Sequence, residues 1–173
     1  MKRALLGSVI CGAFLLGTLQ FAGADSKSRT DSRTDATPNS ADIISATAGH
    51  KGKSKLIHTV KLDGAVSESD PSLQILLQIN ISGNRDCERE IIWPPKGRTQ
   101  VIHCGVGEVP KFATIAHPNP KTLKFVFAKR AIGSPAKYGW RVITRDNGPG
   151  GTDLDSLPDE KGGKPVYVIH KLR

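Results

Sequence analysis

Methionine occurs once in this 173-residue chain, tryptophan and tyrosine twice each, and cysteine three times. Each scarcity excludes something. With three cysteines the chain is no disulfide-dense miniprotein, and a single core must hold it. The five histidines stand alone at His50, His58, His103, His117 and His170. None has an i, i+2 or i+4 partner, so no zinc spacing is present. Beyond the N-terminus there is no apolar run of the roughly 18 residues that a membrane-crossing helix needs. Long amphipathic helical periods and internal repeats are also missing, which excludes bundles and solenoids.

What is there begins with an address. Lys2 and Arg3 precede an apolar run from Ala4 to Leu19 and a small-residue site at Ala22-Gly23-Ala24. This reads as a secretory signal peptide over residues 1–24, and it predicts a secreted, extracellular or periplasmic protein. Cys11 leaves with that segment, so Cys87 and Cys104 have only each other to pair with in an oxidising compartment. Residues 25–40 are Ser, Thr, Asp, Lys and Arg with almost nothing apolar, and they read as a flexible leader. The folded domain is expected over residues 41–173. Its charge is basic: the formal +9 falls to +7 when Lys2 and Arg3 are removed. Such a protein is drawn to anionic surfaces such as wall polymers, anionic lipid or polyanionic glycans, whereas no basic run points to specific nucleic-acid binding.

From Lys55 onward the apolar period is two. Leu73, Ile75, Leu77, Ile79 and Ile81 share one face, while Gln74, Gln78 and Asn80 share the other. Leu56 to Leu62 and Leu123 to Phe127 alternate in the same way. Further strands are expected at Glu90–Trp93, Thr99–Cys104, Lys111–Ile115, Trp140–Thr144 and Val166–Leu172, with an edge strand at Asp42–Ala48. About eight short strands separated by Pro- and Gly-bearing turns predict an all-β, antiparallel β-sandwich with one disulfide.

Several strings imitate catalytic signatures and fail on spacing. Gly52-Lys53-Ser54 lacks the first glycine of a phosphate loop, because Thr47 stands there. Ser134-Pro135-Ala136-Lys137 and Ser82-Gly83-Asn84 match two motifs of penicillin-recognising enzymes, but Leu123 follows Lys121-Thr122 where the third requires glycine. A non-catalytic protein is therefore expected. Asn80-Ile81-Ser82 fits the N-glycosylation pattern.

Two clusters suggest binding. Asp146 to Glu160 concentrates acid in a basic chain, and Asp146, Asp153, Asp155 and Asp159 supply the oxygen ligands that calcium prefers. Trp93, Tyr138 and Trp140 stand near strand ends, where aromatic planes can stack on sugar rings, with Lys137 and Arg141 beside them as donors. The stretch Ala131 to Arg141, followed by Asp155 to Asp159 and a closing strand, resembles the C-terminal half of uncharacterised exported bacterial β-sandwich proteins, which are loosely similar to carbohydrate-binding and DOMON-like domains. That resemblance implies sugar or haem binding, frequently with calcium. Haem is disfavoured because Met1 is the one methionine and leaves with the signal. The expected function is thus a non-catalytic domain that binds a glycan or anionic cell-surface polymer. The alternative is a module that binds or inhibits another exported protein.

Overall fold

The computed structural model describes residues 27–31, 42–70, 72–94, 99–104, 111–148 and 151–172. Residues 1–24, expected from the sequence to be a signal peptide, lie outside them. Eleven strands are β1 (Lys27–Thr30), β2 (Ile43–Lys51), β3 (Lys55–Leu62), β4 (Leu73–Asn80), β5 (Arg89–Trp93), β6 (Gln100–His103), β7 (Lys111–Asn119), β8 (Thr122–Ala128), β9 (Lys137–Asp146), β10 (Asp153–Leu157) and β11 (Val168–Lys171). All pairings are antiparallel. One sheet runs β1-β2-β3-β8-β7 and the other β6-β5-β4-β9, with β10 and β11 both on the far edge of β9. The two sheets pack face to face as an all-β sandwich. They join along one side where β6 pairs with β7. On the opposite side the Ile43 amide of β2 donates to Asp155 Oδ2 of β10 at 2.6 Å.

The period-two pattern explains the interior. Val60, Leu123 and Phe125 from the first sheet meet Ile75, Leu77, Ile79, Trp140 and Val142 from the second in one buried cluster. Apolar burial of this kind contributes ~25 cal/mol per Å² and supplies most of the driving force for packing the sheets. Each of the eight strands expected from alternation is present. Three details differ. Lys27–Thr30, placed by composition in a flexible leader, forms β1: all four residues are exposed and the strand is held by backbone pairing to β2, not by burial. Consequently β2 is an internal strand. The acidic stretch Asp146 to Glu160 is no continuous loop, because Asp153–Leu157 pairs with β9.

A fourth difference positions the site. Strand β4 is not half-buried: Gln78 is 6% and Asn80 2% exposed. Chain from Pro158 to Tyr167 lies over the outer face of the β4–β9 pair, where Glu160 reaches Arg141 and Tyr167 sits on Gly139.

Candidate ligand-binding cleft

The outer face of the second sheet carries a polar row. Gln78 lies opposite Arg141 in the β4–β9 register and opposite Glu90 in the β4–β5 register. Arg141, 6% exposed, donates through Nε to Gln78 Oε1 at 2.9 Å and pairs with Glu160 at 3.2 Å. Its guanidinium also lies 5.6 Å from the centre of the Tyr167 ring. Burial pushes the Tyr167 phenol above its usual range, while Arg141 opposes that rise. Burial likewise raises Glu90. A charge this enclosed needs partners, and Arg141 has them on two sides.

Two segments rise above this row. The first, between β4 and β5, is organised by Asn80. Its amide nitrogen donates to Asn84 Oδ1 at 2.8 Å and to the Asp86 carbonyl at 2.7 Å, and its Oδ1 accepts from the Gly83 amide at 2.8 Å. Glu88 closes the base by accepting from the Ile81 and Ser82 amides. Its burial raises the carboxyl pKa, but those bonds prevail and hold it below the ordinary value. Within this scaffold Arg85 has φ of 72°, a left-handed conformation uncommon for a non-glycine residue. The second segment turns at Lys161-Gly162-Gly163-Lys164, with both glycines at positive φ of 62° and 67°. Lys161 and Lys164 exchange two backbone hydrogen bonds, of 3.1 and 3.3 Å. Positive φ at both central positions is what a type I′ turn requires, which is why glycine stands at each.

Between the two segments lie two hollows of about 440 and 330 Å³, sharing Arg85, Lys164, Pro165 and Tyr167 in their walls. The larger reaches Gln78, Asp86 and Arg141. The smaller adds Asn80, Lys161 and Ile169 and has three cations and no acid in its lining.

The residues expected to bind are distributed differently. Trp93 and Tyr138 are each 1% exposed and Trp140 is fully buried, so none offers a ring face to a sugar. The reason is phase: each shares its strand face with apolar neighbours directed into the core. Of the stacking group, Arg141 lies under the cleft and Lys137 is exposed on β9 outside its lining. The acids separate as well. Asp153 pairs with Arg145 at 2.6 Å, and Asp146 accepts from the Gly148 amide of its own turn. Asp155 and Asp159 do come together, joined by Asp31 at the end of β1, with carboxylate oxygens within 4.8 Å of one another. Clustered carboxylates do not by themselves make a calcium site, and Asp155 already holds the Ile43 amide. The Cys87–Cys104 disulfide is present. Asn80 is occupied by its loop and too buried to act as a glycosylation acceptor. Ser134 follows Gly133 in an exposed turn beyond the 3-10 segment Lys129–Ile132.

Sequence reasoning missed the cleft. Its legible signal was Lys-Gly-Gly-Lys, a two-glycine turn with a lysine on each side; Arg85 carried none.

Comparison with known proteins gave no matching family, no matching curated protein and no matching solved structure. No helix among the described residues is long and apolar enough to cross a membrane.

Proposed function

We propose that this chain is an exported, non-catalytic β-sandwich that binds a glycan or other cell-surface polymer in the cleft between residues 81–87 and 161–167. The observation that carries the reading is the fixed scaffold beneath an open, polar hollow. Asn80 and Glu88 pin one wall, a tight glycine turn sets the other, and buried Arg141 supports the floor. Preorganised walls bind without the cost of ordering a loop at the moment of association. Recognition through this cleft replaces stacking on the tryptophans, which are in the core. Export is supported by the N-terminal sequence and by the disulfide, since such bonds persist in oxidising compartments.

Co-sedimentation with a panel of insoluble wall and plant polysaccharides, at low and high salt, tests the reading. Binding that an Asn80→Ala substitution weakens while the fold persists supports the cleft. Retention by no polymer at any salt concentration rejects it.

A second reading, a protein-binding or inhibitor module, is favoured by one feature. Strand β1 ends its sheet, is exposed along its whole length, and has no strand on its outer edge among the described residues. Such an edge can accept a strand from another chain. Co-purification of one stoichiometric protein partner, lost on deleting residues 27–30, would favour this reading over the first.

A further inference from the structure

We infer that the cleft takes an acidic sugar unit, its anionic group held by Arg85, Lys161 and Lys164 and its apolar face lying on Ile169. This rests on reading the cleft as the polymer site and specifies the ligand. The glycine turn sets Lys161 opposite Lys164. Directly opposed like charges on paired chain segments are destabilising, and an anion between them removes the repulsion. Arg85 brings a third cation to the same hollow from a left-handed backbone conformation, and strain of that kind collects at ligand clamps.

None of these three side chains makes an ion pair among the described residues. Arg141 and Arg145 of β9, by contrast, are paired with Glu160 and Asp153. Cations left unpaired together are free for a partner from outside. The same hollow is lined by Ile169, which at 47% is the exposed large hydrophobic residue among those described. Three charges beside one apolar patch match a ring with a C–H face and an acidic substituent. The hollow, at about 330 Å³, lies at the small end of ligand sites, which run from about 300 to 1,000 Å³. Carboxylate and phosphate substituents share this chemistry.

The test measures affinity of the protein for polygalacturonate, phosphorylated mannan and neutral mannan at about 150 mM salt, where distant charges are screened. Arg85→Ala/Lys164→Ala is compared with Lys61→Ala/Lys124→Ala, which removes equal charge from exposed positions on the other sheet. At least one acidic polymer should bind tenfold or more above neutral mannan, on the order of one charge-assisted hydrogen bond. The cleft pair should weaken it by about 10- to 100-fold and the control pair by less than about twofold. The polymer that binds identifies the anion as carboxylate or phosphate. Equal loss in both pairs would reduce binding to net charge and overturn the inference. Strong binding of neutral mannan, unaffected by either pair, would also overturn it while leaving a glycan-binding protein. Failure of all three polymers while the wall panel still binds would overturn the inference alone, and failure of both would remove both readings.

Discussion

His58 of β3 and Tyr138 of β9 share a hydrogen bond of 2.8 Å, so a polar contact crosses the middle of the sandwich from one sheet to the other. Trp140 and Phe127 pack against the imidazole at ring-centre distances of 5.2 and 5.8 Å. His170 of β11 lies 5.5 Å from Tyr138, and His50 of β2 lies 6.1 Å from His170. Burial, with the nearby His170 second, lowers the His58 pKa from 6.5 to about 3.

This arrangement predicts acid sensitivity. Between pH 6.5 and about 3 the unfolded chain binds a proton at His58 that the folded chain refuses. The contribution of this residue is therefore complete above pH 6.5 and declines as pH falls to about 3. The full loss is on the order of 5 kcal/mol. Urea midpoints at pH 7.5 and 4.5 should differ in that direction. A His58→Gln variant, less stable at neutral pH, should show a smaller difference. An identical pH dependence in the variant would assign the effect to other groups.

Gly139 lies under Tyr167, and a Cβ there would fall 2.8 Å from the Tyr167 Cβ. Gly139→Ala should displace the 158–167 segment, destabilise by ~1–3 kcal/mol as overpacking does, and weaken ligand binding beyond the loss of folded protein. Chemical denaturation and affinity measured on the same preparation separate the two effects.

Trp140→Ala should destabilise by ~3–5 kcal/mol, because it empties the centre of the core. Affinity per folded molecule should stay near that of the parent. A lost affinity with unchanged melting temperature would restore the stacking role that sequence alone suggested.

Replacing Cys87 and Cys104 together by alanine reopens a loop of 17 residues. The expected loss is ~3 kcal/mol in the chain-entropy model, read as a lower urea midpoint. Since Cys87 borders the larger hollow, slower exchange of the Asn84 and Asp86 amides in the parent than in the variant would show that the bond also steadies that wall.

Alternation made most of the sandwich legible, and it also contained the fate of the tryptophans. Trp140 shares a strand phase with Val142 and Thr144, and all three are buried. Strand β1 was not legible, because Lys-Ser-Arg-Thr has no apolar phase and its pairing is made by the backbone. Strand β10 was hidden by composition: Asp153-Leu154-Asp155-Ser156-Leu157 breaks the period of two, and its pairing with β9 is bulged between Asp153 and Asp155. The acids of that stretch therefore point to different neighbours. The cleft was least legible of all. Its walls come from segments more than 70 residues apart in sequence, Arg85 and Lys161, and only the pairing of β4 with β9 brings them together.

Strand β9 divides one edge between two neighbours, β10 along residues 142–145 and β11 along residues 137–140. The chain must leave the sheet after Leu157 and return at Val168, and this excursion forms a wall of the cleft. The proposed recognition surface is thereby separated from the architecture. Substitutions around the Gly162-Gly163 turn can change the charge and reach of that wall while both anchoring strands keep their register. The fold is in this sense a mount for an interchangeable part, and under the proposed function specificity can drift among related polymers without the core being rebuilt.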